Sequence, residues 1–595
     1  MVDIQTRLDQ RYEDAIANQQ YPEEVLGTQR CVVMAYMDDC TISVPWVLAE
    51  DVCADLNEIC SQYGLQLNVE KCRIIGPNTS HLPATAPFQL LPEGDIVLGN
   101  PVGTFEFRAA TTRALIDKYI RILPTLDALQ VNPIAAFNII KFCVNARANY
   151  LARVQDLDGL DCLQAFDTAV DEAIFKIAQH NPTDATRRAL SATLRSIPLS
   201  HGGLGVARYS WIPGQVGVIR SRQLLAEFID EHLSPGYSHA VTSLPGIQIG
   251  EGHCPLPIDF GPLPARENMD DLEILNGEYS TTDAAPVQYK AIAATIVAFL
   301  NNVMKSPARA AWLRSSQFEG SGRWVTPLAA VYHDGLFSLN ANEYRVSLRQ
   351  RFLLAPFEDS MDHVHPTLCQ CGVALNDKES PFHFLDCPLN KGFNHTRHAY
   401  CLTAVDGFLK KKLKERSIQT CSVPPPRLHN PEGEVLDQNG DLAVHLLPNV
   451  SQVFDFVVSN PAAATFTNNH HSHEMDNAAN AFHETEKLRH YGHTREVQEE
   501  QLIPFAVEAT GRMGPRAINW IETFIPQDER QGRRGISRTP VQSLHAILCT
   551  AITKCVALPM LYYIGDVKRG NDIWDCMPHL INSIVYVYIE GSACI

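Results

Sequence analysis

A chain of 595 residues, 45% hydrophobic and 19% charged, is too long for one ordinary core and too apolar for a disordered or fibrous protein; about two to four domains are expected. Lys and Arg number 49 against 67 Asp and Glu, so the net charge of −18 argues against nucleic-acid binding by the surface as a whole and confines any such contact to local basic patches. Seventeen cysteines are too dilute for a disulfide scaffold, which leaves reduced thiols, a few of them available for metal.

The chain opens on a polar, helix-like stretch in which acids and bases alternate and no secretory core is present. Residues 31–44, CVVMAYMDDCTISV, place Asp38 and Asp39 between two β-prone apolar runs, so a hairpin with both acids at its tip is predicted. Adjacent carboxylates embedded in apolar strands are costly unless a cation neutralises them, and hard oxygen ligands suit Mg²⁺. Val47, Leu48, Val52, Leu56, Ile59, Cys60 and Tyr63 then follow helical spacing and stop at Gly64. GLQLNVEKCRI, 64–74, reads as a short strand with a turn carrying Lys71, and IVLGNPVGT, 96–104, as a second turn.

This order resembles the palm of reverse transcriptases. YMDD at 36–39 is similar to the family's metal-binding hairpin, LNVEKC at 67–72 to its next motif and LGNPVG at 98–103 to its primer grip. The resemblance implies that Asp38 holds catalytic Mg²⁺, that Asp39 assists, and that Lys71 lies near the incoming triphosphate in two-metal phosphoryl transfer. The family carries another metal-binding Asp well upstream of YMDD. Asp3 and Asp9 lie in the polar opening, away from any apolar strand, so fingers and half the palm are expected to be missing and the chain alone to be incompetent in templated synthesis.

Helices dominate 110–235, where Leu163, Phe166, Val170, Ile174 and Ile177 mark one buried face; HGGLGV at 201–206 lacks nucleotide-loop spacing and is read as a turn. Pro- and Gly-rich residues 244–265 mark a boundary. Residues 369–387, CQCGVALNDKESPFHFLDC, offer Cys369, Cys371, His383 and Cys387, three thiolates and an imidazole suited to tetrahedral Zn²⁺, with Gly372 letting the backbone turn and His363 or His365 able to substitute. Arg397-His398 and a basic run, Lys410, Lys411, Lys412, Lys414 and Arg416, would suit phosphate contacts, or form a solvated helix face. CSVPPPRLHNPEG at 421–433 is read as a proline-stiffened linker.

Residues 441–460, DLAVHLLPNVSQVFDFVVSN, put Asp455 in a strand and Asp441 one strand earlier; EKLRHY at 486–491 and PFAVEATG at 504–511 follow. Two acids and a lysine are the parts needed to hold Mg²⁺ and polarise an attacking water. The polar run 467–480 reads as an exposed loop; His470, His471, His473 and His483 could bind metal, but a flexible polar loop is the favoured reading. The longest apolar stretch, 546–564, contains Lys554 and Pro559 and is read as a buried helix and its loop, with no membrane span.

The whole order resembles non-long-terminal-repeat retrotransposon reverse transcriptases with a C-terminal restriction-endonuclease-like domain. By that resemblance Asp441 stands at the family's Pro-Asp position (with Gly440 in place of the usual Pro), Asp455 at its second acid, and Lys487 with Tyr491 at its Lys–Tyr pair, Glu508 being held in reserve. The implied fold is multidomain α+β: a partial palm over 1–110, an all-α thumb over 111–235, a connector over 236–355, a zinc knuckle and basic segment over 356–420, and an α/β nuclease domain over 431–595. Implied with it are Mg²⁺ or Mn²⁺ and Zn²⁺, an RNA template, a DNA target and primer, dNTP in the intact enzyme, and a nuclear workplace for an otherwise soluble intracellular protein. The rival reading is a non-catalytic nucleic-acid-binding remnant of such an element.

Overall fold

A computed structural model of the chain describes residues 2–21, 32–36, 39–66, 68–76, 88–129, 132–155, 161–182, 184–209, 305–325, 339–355, 358, 369, 371–373, 382–416, 418–447, 450–525 and 539–569. The chain divides into two compact units, Met1–Ile120 with Arg147–Phe166 and Gln215–Ile249, and Arg121–Ala146 with Asp167–Gly214 and Gly250–Ile595.

In the first unit α1 (Val2–Ala17) turns Leu8, Tyr12 and Ala15 inward, a helical 4-3 spacing, onto Leu48 and Val52 of the following segment. β1 (Val32–Tyr36) and β2 (Asp39–Ser43) pair antiparallel with Tyr36 opposite Asp39, the tight hairpin expected of YMDD. Asp38, expected at the tip, lies outside the described residues. α2 (Ala49–Gln62) is closed by two backbone bonds, Gly64 N–H to Ser61 O at 3.1 Å and Leu65 N–H to Cys60 O at 2.8 Å. Its buried Asp55 accepts from Arg11 of α1 at 2.8 Å, which fixes the two helices in register. Tyr63, expected on the buried face, is exposed, because the helix has already ended. β3 (Arg73–Ile75) pairs parallel with β4 (Gln89–Leu91); β5 (Gly94–Val97) and β6 (Asn100–Gly103) form a hairpin, followed by α3 (Phe105–Ile122).

The helix Asp161–Ile177 buries all five residues of the face that its spacing marks. In the second unit α4 (Ala185–Ser196) starts on Asp184, whose side chain accepts from Arg187 N–H at 2.9 Å, and residues 201–206 form a turn as read. Within the residues read as a connector, α5 (Ala341–Arg351), begun by an Asn340/Glu343 capping box, buries Tyr344 and Leu348. α6 (Lys391–Leu413) packs on the long α9 (Pro540–Arg569) and on the sheet.

That sheet has four strands in the order β12-β11-β10-β7: β7 (Gln419–Cys421), β10 (Leu442–Leu447), β11 (Val450–Ser459) and β12 (Leu502–Glu508). β10 and β11 are antiparallel, while β11 and β12 run parallel with Asp455 beside Pro504 and Ser459 beside Glu508. The parallel pair is covered by α7 (Ala478–His490) and α8 (Pro515–Phe524). Phe454 meets Trp520 edge-on at 4.8 Å between ring centres, and Phe456 lies 4.7 Å from Phe505.

Three sequence expectations change here. The proline-rich linker is part of the sheet domain, since β7 ends at Cys421 and β8 (Arg427–His429) pairs with β9 (Val435–Asn439). The polar loop at 467–480 is the end of the helix Ala464–Asn469, a turn, and the start of α7, with Ser472 and Asn480 buried. Finally, α9 runs straight through Pro559 with no loop; the 20-residue stretch Pro540–Pro559 is apolar enough to cross a membrane, but 67% of its most apolar window is buried inside the unit, so packing accounts for its composition.

Candidate functional site

Asp455 sits in the middle of β11, 5% exposed, and Asp441 immediately precedes β10. The hairpin register brings them together. Asp441 N–H donates to Phe454 O at 2.8 Å, and Phe456 N–H donates to Asp441 Oδ2 at 2.7 Å, so the Asp441 side chain lies across the backbone that carries Asp455. Gly440 allows this approach: a Cβ there would meet Val453 Cγ1 at 2.2 Å. The departure from Pro at that position therefore has a packing cause on this chain.

Lys487 and Tyr491, one helical turn apart at the end of α7, share a face. Lys487 Nζ lies 2.6 Å from Asp455 Oδ2. The Tyr491 hydroxyl is pushed up to about 12 by burial and by the neighbouring Asp455 and Asp441 charges. All four residues picked from the sequence for this site converge.

A fifth, His398 on α6, completes it, with Nε2 at 3.2 Å from Asp441 Oδ2. The sequence reading had noted His398 only beside a basic run; its contact with Asp441 depends on how α6 packs on the sheet. The two acids are driven apart. Burial raises Asp455 more than Lys487 lowers it, whereas for Asp441 the upward push of burial is overcome by the His398 bond and charge and the Phe456 amide. His398 is correspondingly raised by its Asp441 bond. A pair of adjacent carboxyls with opposite shifts is the electrostatic pattern of a site that awaits a cation or a shared proton. Two carboxylates, no soft donor and an adjacent lysine fit a hard divalent ion, with Asp441 and Asp455 as the protein ligands.

Glu508 is not brought to this site. Its strand partner is Ser459, four residues along from Asp455, about 13 Å at strand spacing. It is buried, accepts from Ser315 Oγ at 2.6 Å and is pushed up to about 7 by burial, against the pull of Ser315 and Arg512. Because the folded value lies above the unfolded one of 4.5, this acid's contribution is fully present below pH 4.5 and is lost as pH rises through about 7. Glu508→Gln keeps an acceptor for Ser315 and should remove that loss. Denaturation midpoints of variant and wild type should diverge from pH 4.5 to 7, reaching about 3 kcal/mol in the variant's favour above it; parallel curves would refute the assignment.

The second cluster lies ahead of α6. Cys369, Cys371, His383 and Cys387 bring their ligand atoms within 4.8 Å of one another, with Cys371 Sγ 2.9 Å from His383 Nε2 and Cys369 Sγ 3.7 Å from Cys387 Sγ. Gly372, at φ +88°, makes the turn between the ligand pairs, where Gly372 N–H returns to Cys369 O at 2.8 Å. This Cys₃His set can hold a metal ion such as zinc. Burial keeps His383 neutral and raises Cys387 to about 12, so metal entry must release thiol protons and weakens as pH falls. His363 and His365 lie outside the described residues. Asp386, beside Cys387, accepts from Asn460 Nδ2 at 2.5 Å and so ties the cluster to the end of β11.

No protein-family model matches the chain, and no curated protein matches it.

The palm residues are placed less completely. Asp39 opens β2, and Lys71 is exposed on the 3₁₀ turn Val69–Lys71. Of the loop histidines, His471, His473 and Glu474 bring ligand atoms within 4.8 Å at an exposed turn, while His470 packs on Phe482 and His483 on Phe466. Lys410–Arg416 end α6, where cations suit the helix dipole; Lys410 pairs with Asp406 at 2.6 Å and Arg416 donates to Phe524 O at 3.1 Å.

Proposed function

We propose that the sheet of the second unit carries a divalent-metal-dependent endonuclease, in a protein of the non-long-terminal-repeat retrotransposon type that uses the nick to prime reverse transcription. The observation that carries the reading is the convergence of Asp441, Asp455, Lys487 and Tyr491 on one spot. In the same reading Asp38, Asp39 and Lys71 belong to a palm that takes RNA template, DNA primer and dNTP with Mg²⁺, the Cys₃His cluster holds Zn²⁺, and the protein works in the nucleus.

The reaction is hydrolysis of a phosphodiester: a water oxygen bonds to phosphorus, the P–O bond to the leaving sugar oxygen breaks, and that oxygen is protonated. A Mg²⁺ or Mn²⁺ ion held by Asp441 and Asp455 supplies charge neutralisation and a more acidic water. His398 holds Asp441 through Oδ2 and fixes its rotamer. Lys487, 2.6 Å from Asp455, would stand within reach of the charge that builds on the phosphoryl oxygens. Tyr491, with a hydroxyl that stays protonated, donates at the same edge.

Incubating the purified protein with supercoiled plasmid and Mg²⁺ or Mn²⁺ tests the reading through the appearance of open circles. Lys487→Met should slow nicking about 100-fold, the order set by removing one positioned charge; unchanged nicking would take Lys487 out of the chemistry. Zinc and DNA binding without nicking by wild type would instead favour a binding-only remnant.

A further inference from the structure

A cavity of about 850 Å³ opens beside the acid pair, and His398 lines both. Its walls come from the first turns of α6, the end of β11, the helix Ala464–Asn469 and α7. Two polar groups on the wall are buried and unsatisfied. Arg397, 6% exposed, donates to Asn394 Oδ1 at 3.0 Å, but among the described residues its Nε has no hydrogen-bond partner, and neither has Ser459 Oγ, on a residue 5% exposed. A buried guanidinium is permanently charged, and burying it without an anion is costly. The one acid on the wall, Asp386, is engaged by Asn460, and among the described residues no ion pair joins it to Arg397.

Four rings also line it, Phe456, Phe466, Phe482 and His483, with Phe466, Phe482 and His483 set edge-to-face to one another. A buried cation whose neighbouring acid, Asp386, acts on it only at a distance and is itself tied to Asn460, next to ring faces and to amide and carboxyl edges, suits a nucleotide. The guanidinium takes a phosphate bidentately, ring faces take a base, and Asp386 or Asn460 can accept from an exocyclic amine. The size suits one nucleotide.

We propose that this cavity is a nucleotide subsite, in which Arg397 holds a phosphate and the aromatic wall holds a single unstacked base. This rests on the nuclease reading for its purpose, since the subsite adjoins the acid pair and would hold a nucleotide next to the scissile bond; its ligand chemistry does not depend on cleavage. Two sources share that chemistry, a free nucleotide and a nucleotide turned out of a strand.

The test uses the full chain with its zinc, without added Mg²⁺ or Mn²⁺, and titrates deoxynucleoside 5′-monophosphates by calorimetry. Arg397→Lys should weaken binding about tenfold by removing the planar fork. Thr465→Trp, at an exposed rim position, should block entry without touching the buried charge and so guards against a folding defect in the first variant. Asp455→Asn should retain the affinity, so a failed nuclease reading and a failed subsite are told apart. A 2-aminopurine oligonucleotide assigns the source: a fluorescence rise with wild type, lost in Thr465→Trp, means a base taken from a strand, and monophosphate binding without that rise means a free nucleotide. Absence of monophosphate binding by wild type, or binding indifferent to both Arg397→Lys and Thr465→Trp, overturns the proposal.

Discussion

Asp455→Asn should reduce metal-dependent plasmid nicking by about a thousandfold or more while leaving the fold intact. The large kinetic effect follows because one of two carboxylates that can neutralise the cation is lost, and charge stabilisation of this kind supplies several kcal/mol of the barrier reduction. The small structural effect follows from the environment. Asp455 is already held toward its neutral form by burial and by Asp441, so an isosteric amide removes little that is favourable. Lys487 loses its ion pair, but its side chain is 24% exposed and reaches water. Open-circle formation and melting temperature measured on the same preparation separate the two effects. Persistent nicking with an unchanged metal requirement would place the chemistry elsewhere.

The second large effect concerns the Cys₃His cluster. Cys371→Ser should drop bound zinc below one ion per chain and destabilise 369–390 by several kcal/mol, given that structural zinc contributes about 10–16 kcal/mol in isolated fingers. Cys371 is the ligand to change because its sulfur meets His383 directly, so that one substitution opens the tetrahedron. The effect should spread. Asp386 hangs on Asn460 next to β11, so losing the cluster frees that wall of the cavity. Elemental analysis and the chelator sensitivity of the melting temperature read the result: wild type should melt earlier in chelator, the variant should not. Unchanged zinc stoichiometry would remove Cys371 from the ligand set.

What was legible in the sequence was what a short window contains. The hairpin at 36–39 and the strand carrying Asp455 declare themselves by apolar runs around acids. Lys487 and Tyr491 came only through the resemblance to the family's Lys–Tyr pair, whereas the cysteines declare themselves by proximity along the chain. His398 was illegible as a site residue because its partner lies 43 positions away and is reached only through packing of a helix on a sheet. Glu508 misled for the converse reason: it stands on the correct strand but at the wrong end of it, a matter of register. Proline and polar content misread 421–433 and 467–480, since strand pairing and burial of Ser472 and Asn480 override local composition. Pro559 likewise reads as a breaker in isolation, yet the helix around it is held by its packing.

The register beside Asp455 has a further consequence. Val453 N–H bonds to Gln501 O, so in the parallel ladder the alternate positions 501 (just ahead of β12), 503 and 505 use their backbone groups toward β11, and Pro504 points its nitrogen away from it. β12 is the last strand of the sheet, so the missing donor of Pro504 falls on its outer edge, just ahead of the stretch where residues 512–514 bond back to Ala506 and Glu508. An added strand from another molecule would find no hydrogen there to bond, at the position level with Asp455. The protein thereby resists edge-to-edge association at the very strand that backs its candidate site.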